Sequence, residues 1–448
     1  MAVWNIVNRT DFRSHANIMA EHYQLERIRA EEYLKSISTY RIKDLYKEVI
    51  QIISPSKLED SWNVYDLTDG ISNFLTTEPH YTKSSSAKKV AVENDFVISR
   101  LRSYLKEMAV VPNCNYKMAF STEYLVYRSK QSITASLLLP FSLSSYVQSI
   151  LKWAQMGNEH PRFSSETFGD IFIPNCILAH SNEISAYIAE AIECQKQSQA
   201  LYHQAETLLA KELQLDQLKL SNKKWYSTQY GEVLNRLRSD AEFYNPKLAQ
   251  YYEHFSHIGL DMKCICDFVK VKKFSNPTYA KEGLPIITQR HLSVISPENY
   301  GDFPIADPNW CNKNTEAVLK KEDLLYYSVG AYLGKTNVWL NDDNAVFASF
   351  ITLMRCKDVI DSCFLMLLLN SPFGILQSKV FQSGTSQPYI YPKDIKQFLV
   401  PDITRKRKEA LFDLIHKSYS AMNQSKQLLA QAKHRVEELI EQEANKYK

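Results

Sequence analysis

Glycine is scarce in this chain, with 11 residues in 448. Dinucleotide and phosphate sites use glycine to bring backbone close to phosphate, so this scarcity argues against both. Net charge is also nearly absent, at +3, and any contact with nucleic acid would have to come from a local patch. The eight cysteines include only one close pair, Cys264 and Cys266. A C-x-C spacing is not a zinc pair, and scattered thiols without a framework fit a reducing cytoplasm. Met1 to Thr10 carries no sustained apolar run, so no signal peptide is expected. The longest apolar stretch, Cys363 to Leu369, is too short to span a bilayer.

Catalytic constellations are missing as well. Gly330-Ala-Tyr-Leu-Gly334-Lys335-Thr336 imitates a phosphate loop, but three residues separate its glycines where that loop needs four. Asn276-Pro-Thr-Tyr279 is close to the Asn-Pro-Pro-Tyr motif of amino-methyltransferases. It lacks the second proline, no glycine-rich cofactor loop precedes it, and it reads as a turn. The histidines are dispersed, with neither a metal-binding His pair nor a local acid–base pair. No catalytic residue and no metal site are expected.

What the chain does have is an internal copy of itself. Asp95 precedes Tyr104-Leu105 by the same distance as Asp323 precedes Tyr332-Leu333, at an offset of 228. Gly157, Pro161 and Pro174 match Gly384, Pro388 and Pro401 at an offset of 227. Between them Ser121–Arg128 resembles Ser349–Arg355 with one residue gained or lost. A weaker upstream match sets Arg27–Tyr33 against Arg236–Tyr244 at an offset of 211. Such a period is too long for a solenoid and describes two domains.

Each copy has one plan. Alternating and β-branched runs at Asp95–Leu101, Tyr124–Tyr127 and Asp323–Tyr327 predict strands. Ile171-Phe-Ile-Pro174 and Phe398-Leu-Val-Pro401 predict closing strands that proline ends. A long helix follows in each copy, from about Glu183 to Leu220 and from about Arg405 onward. Their apolar stripes are narrow, as in a coiled-coil seam, and the two helices are expected to pair. The alternative is that each packs on its own domain.

Cations and aromatic residues gather in both copies. Arg100, Arg102, Tyr104 and Lys106 alternate, which on a strand places them on one face. Such a row can hold phosphates and read base edges, or can be a solvated strand face. The second copy offers Lys270, Lys272, Lys273, Tyr327, Tyr332 and Lys335. The loops Gly157-Asn-Glu-His160-Pro161-Arg162 and Gly384-Thr-Ser386-Gln387-Pro388-Tyr389 add His160, Arg162, Ser386, Gln387 and Tyr389 as further candidates.

The order domain, helix, domain, helix resembles the specificity subunit of type I restriction–modification enzymes. Arg238-Ser-Asp-Ala-Glu-Phe-Tyr-Asn-Pro-Lys247 is similar to that family's opening segment of a target-recognition domain. Gly384-Thr-Ser-Gln-Pro-Tyr-Ile-Tyr-Pro-Lys-Asp-Ile395, running into Leu399-Val-Pro401, is similar to its closing segment, and the terminal Lys426–Ile440 helix is similar too. The first copy departs from this pattern, with Gly157-Asn-Glu-His160 in place of Gly-Thr-Ser-Gln.

The resemblance implies an α+β fold. Two similar target-recognition domains would be separated by a pair of long antiparallel helices, a coiled coil, in a pseudo-twofold tandem repeat. The expected segments are residues 1–180 (first recognition domain with an N-terminal extension of about 30 residues), 181–222 (central spacer helix), 223–402 (second recognition domain) and 403–448 (C-terminal spacer helix). It implies a cytoplasmic, non-catalytic subunit in which each domain reads one half of a split site in double-stranded DNA. The implied partners are two methyltransferase subunits, which bind the S-adenosylmethionine this chain does not, and nuclease–translocase subunits as optional members. A helix of some 35 residues spans roughly 50 Å, more than the ~34 Å turn of DNA, so it can separate two half-sites. The alternatives are a methyltransferase or nuclease acting on its own, and a coiled-coil adaptor that does not touch DNA.

Overall fold

In a computed structural model, the described residues are 19–58, 62–77, 84–131, 133–221, 225–296, 303–384 and 386–446. Residues 1–18 of the expected N-terminal extension lie outside them. The chain forms two compact units, residues 1–199 with 421–448 and residues 200–420. Each unit takes a part of both long helices.

The first unit is built on a four-stranded antiparallel sheet. Its strand order is Tyr46–Glu48, Tyr124–Ser129, Phe96–Ser99, Met108–Val110, in a register that sets Phe96 opposite Tyr127 and Ser99 opposite Tyr124. Aromatic and β-branched residues fill it because both faces are covered. Side chains alternate between the faces. Phe96, Ile98, Leu125 and Tyr127 pack with the helices, whereas Val97, Tyr124 and Val126 pack with Tyr65, Met118 and Phe120 of a second sheet. That second sheet has the order Ile52–Ile53, Lys88–Ala91, Lys117–Ser121, Trp62–Tyr65, and only its last pairing is parallel.

The second unit repeats the first sheet strand for strand: Val269–Lys272, Ile351–Cys356, Leu324–Tyr327, Thr336–Val338. Its faces alternate in the same way, with Leu324 and Tyr326 toward the helices and Leu325 and Tyr327 toward the opposite layer. The copies diverge in that layer. There, among the described residues, the second unit has three strands, Ile305–Ala306, Tyr279–Ile287 and Val346–Phe347, in place of four. Each unit is closed by a short antiparallel pair, Ser38–Arg41 with Phe172–Pro174 and Met262–Cys264 with Leu399–Pro401.

The weak upstream match is corrected. Arg27–Tyr33 lies inside the helix Leu25–Ser36, whereas Arg236–Tyr244 ends one short helix and forms a 3-10 turn. In the second unit the helix that precedes the first strand of the closing pair is Pro246–His257, which stands to Leu25–Ser36 at an offset near 221. Helix surfaces rich in Arg and Glu resemble one another in composition, and this one matched the wrong segment.

The long helices are Ser181–Glu212 and Arg405–Lys446. The first is shorter than the predicted run to Leu220. In the first unit Ile184, Ile188 and Ala191 share a core with Leu429, Ala432, Val436 and Ile440, and Arg435 pairs with Glu183 at 3.0 Å. In the second, Ala205, Leu209 and Leu213 share a core with Leu411 and Ile415, and Arg407 pairs with Glu212 at 3.1 Å. The start of one helix therefore meets the end of the other, an antiparallel pair. The same cores hold the sheet residues, so pairing and docking on the globular parts occur together. Tyr33 Oη donates to the Ile440 carbonyl at 2.6 Å, one such docking contact.

Among the described residues no single helix is long and apolar enough to cross a membrane. The apolar pair Asp361–Asn370 and Pro372–Phe381 is bent by 71° at its junction, and the first of these helices is buried from Asp361 to Leu369.

Candidate nucleic-acid interface

The repeated aspartates serve the scaffold. Asp95 is buried and accepts both arms of the Arg128 guanidinium at 2.7 Å, together with the Val92 N–H at 2.9 Å. Asp323 does the same with Arg355 at 2.8 and 2.6 Å and with the Lys320 N–H at 2.8 Å. A fork-on-fork pair of this kind fixes where the central strand begins.

Past that strand the alternating row is not a strand face. The strand stops at Ser99, Arg102 and Lys106 adopt left-handed backbone (φ 50° and 54°), and Ser103–Leu105 is a 3-10 turn. Arg100, Arg102, Tyr104 and Lys106 thus decorate a tight turn and not one face of a sheet. The turn closes where the Ser99 N–H donates to the Glu107 carbonyl at 2.8 Å. In the second unit Tyr327 N–H donates to the Lys335 carbonyl at 2.8 Å, and the left-handed positions are Gly330 and Gly334 (φ 95° and 96°). Glycine adopts that conformation without strain, while the first copy places charged side chains there at a cost.

A hairpin loop sits against each turn. Met156 and Arg162 exchange backbone hydrogen bonds of 2.8 and 2.9 Å, and Ser383 and Tyr389 exchange two of 2.8 Å. Gly157 and Gly384 supply the positive φ that these five-residue loops need. Each loop is fixed to its turn by the carbonyl of its proline: Arg102 N–H donates to Pro161 at 2.9 Å, and Gly330 N–H to Pro388 at 2.7 Å. Phe163 N–H then donates to the Arg100 carbonyl at 3.1 Å, and Ile390 N–H to the Ser328 carbonyl at 3.0 Å. A third segment joins through Arg100 N–H to the Glu123 carbonyl and Ser328 N–H to the Phe350 carbonyl, at 3.1 and 2.9 Å. The frame is main chain in both units and the same in both.

The side chains on that frame differ. In the first unit Glu123 accepts from Arg100 at 2.9 Å and from both arms of Arg162 at 2.9 and 2.8 Å. The Arg162 guanidinium, with Arg100 beside it, holds the Glu123 carboxyl below the usual range against the effect of its partial burial. Arg162 also donates to the His160 carbonyl at 2.9 Å, and Arg102 lies 3.5 Å from the His160 ring. Tyr104 is 62% exposed at the turn, with Lys106 exposed beside it. Under the turn, burial pushes the Glu107 carboxyl up to about 7.

In the second unit Ser328 replaces Arg100 and is buried, donating to the Phe350 carbonyl at 3.0 Å. Lys273 reaches it at 3.4 Å, with its ammonium pKa lowered by burial. Tyr332 is 72% exposed, Ser386 and Gln387 are exposed, and Tyr389 packs edge-on against Tyr391.

Several sequence candidates are placed elsewhere. Tyr327 is only 6% exposed and belongs to the core, because it lies on the inward face of its strand. Lys335 donates to the Leu292 carbonyl at 2.7 Å, Lys272 pairs with Glu316, and Lys270 is exposed opposite Arg355, away from the turn. The sequence pattern did not point to Glu123 or Phe350. An offset of 227 between Arg128 and Arg355, both paired to the repeated aspartates, would have matched them. No metal-ligating group gathers at either turn among the described residues.

No protein-family model and no curated protein sequence matches this chain. Solved structures similar to it include a chain from a type I R-M system studied for complex assembly and conformational transition, at 15% identity over 90% of this chain and 95% of that one, TM-score 0.29. The S subunit of a type I restriction–modification system from M. genitalium is 11% identical over 89% and 94%, TM-score 0.41. The HsdS subunit from Thermoanaerobacter tengcongensis is 15% identical over 90% and 94%, TM-score 0.29. Superpositions at these scores assign no function to this chain.

Proposed function

We propose that this chain is the DNA-specificity subunit of a type I restriction–modification complex. Each recognition domain reads one half of a bipartite target in double-stranded DNA, and the paired helices set the spacing. Methylation is carried out by two partner methyltransferase subunits that bind S-adenosylmethionine, with nuclease–translocase subunits as optional members, in the cytoplasm. The chain is a reader and not an enzyme.

The observation that carries this reading is the pair of loop surfaces: one main-chain frame in two copies, presenting different side chains. Arginine forks suit the O6 and N7 edge of guanine, glutamine suits adenine, and lysine and tyrosine hydroxyls suit phosphate. Arg100, Arg102, His160 and Arg162 therefore fit a different half-site from Ser386, Gln387 and Tyr389, while Tyr104 and Tyr332 are common to both. A shared frame with divergent tips is what a bipartite reader needs, and an adaptor has no use for it.

The test is selection of bound sequences from a random duplex library by the chain together with its methyltransferase partner. Enrichment of a split motif is expected. Arg100→Ala with Arg102→Ala should weaken binding and relax one half of that motif. Binding without sequence preference would overturn the proposal.

A further inference from the structure

We infer that Glu322, Cys363 and His416 form a binding site for a single divalent transition-metal ion, zinc by the chemistry of the ligands. All three lie in the second unit. Their ligand atoms fall within 4.8 Å of one another. Glu322 Oε1 is 2.9 Å from His416 Nε2. Ser362 Oγ donates to Glu322 Oε2 at 2.7 Å and lies 3.8 Å from Cys363 Sγ. An imidazole nitrogen, a thiolate and a carboxylate oxygen make the mixed set that zinc accepts, with the fourth position left to water.

Three independent features point to an ion at this place. His416 Nε2 is buried and makes no hydrogen bond of acceptable geometry, although it is close to Glu322. Neutral imidazole is the commonest protein ligand of transition-metal ions. Glu322 is a buried acid with left-handed backbone (φ 71°), a strained conformation for a residue other than glycine or asparagine. Its counterpart in the first copy is Asn94, in the same conformation (φ 65°). The second copy thus keeps the strain and exchanges the residue suited to it for a carboxylate. The other two counterparts, at the offset of 227, are Ser136 and Ala189. The whole ligand set is therefore specific to one copy and no part of the shared scaffold.

Cys363 is fully buried. Metal binding releases the thiol proton to solvent and leaves a thiolate on the ion. The ligands are themselves held in place: Ser362 orients the Glu322 carboxylate, and Phe412 stacks on the His416 ring at 4.1 Å. The consequence is a clip. Glu322 precedes the central strand, Cys363 sits in the buried helix Asp361–Asn370, and His416 belongs to the second long helix. The ion would fasten that helix to the globular part of its own unit.

The full-length chain, stripped with a chelator and dialysed, is titrated with Co²⁺ and then Zn²⁺. One Co²⁺ per chain is expected, with a thiolate-to-cobalt charge-transfer band that one equivalent of Zn²⁺ removes. Cys363→Ser should abolish the band and weaken Zn²⁺ binding at least tenfold. Cys194→Ser, which changes a buried thiol of the first unit, should leave both intact. If Cys363→Ser does not fold, His416→Gln retains the thiol and should shift the band and lower the affinity. A native chain without the band, or a band that survives both substitutions, overturns the inference.

Discussion

Two turns of the same shape carry opposite residue choices, and the difference has a measurable cost. A Cβ added to Gly334 would lie 2.8 Å from Ser378 Oγ and 3.0 Å from its Cβ, at a φ that already strains any side chain. Gly334→Ala is therefore expected to destabilise the chain by about 1–3 kcal/mol in urea unfolding. Lys106→Gly, at the matching position, should be neutral or stabilising by up to ~1 kcal/mol, because relief of left-handed strain outweighs the added freedom of the unfolded chain. Beneath the same turn, burial raises the Glu107 carboxyl from 4.5 to about 7. A group raised in the folded state contributes stability that is complete below its unfolded value and is lost as pH rises through the folded one. Stability should thus fall between pH 4.5 and about 7, by on the order of 2 kcal/mol for this group. Glu107→Gln should flatten that slope in denaturation curves recorded across pH.

At the scale of elements the helix pair offers an internal control. Ile188 and Ile415 are related by the repeat offset, and each is fully buried in the core of its unit. Either one changed to alanine should cost about 2–4 kcal/mol by equilibrium unfolding, since each leaves a cavity between helix and sheet. If only one is costly, the two seams are not equivalent. These helices were legible in the sequence because a long apolar stripe free of glycine and proline has few other readings. The central strands were legible for a similar reason, being continuous runs of aromatic and β-branched residues. The turn after them was not. Arg100, Arg102, Tyr104 and Lys106 alternate as a strand would, and nothing local shows that two of them take a conformation suited to glycine. Only the other copy reveals it, through Gly330 and Gly334. Glu123 escaped for another reason: its partners Arg100 and Arg162 are distant in sequence and meet only when three segments join.

For the molecule as a whole, the repeat separates what is common from what is individual. Aspartate–arginine pairs, loop glycines and prolines recur, as does the exposed tyrosine of each turn, Tyr104 and Tyr332, while the charged and polar residues displayed beside it do not. Under the proposed function, Arg162→Ala and Gln387→Ala should each alter the preferred bases in one half of a bound duplex and leave the other half unchanged, as read by sequencing of selected DNA. A change in both halves, or in neither, would count against independent readers. The proline carbonyls that fasten each loop carry a further consequence, for descent. Because the fastening is made by the main chain, substitutions at the tip alter what is displayed without touching the attachment. Under the proposed function, lineages of this protein can drift to new targets one half at a time, through few mutations and with little penalty to folding, while the other half goes on being recognised as before.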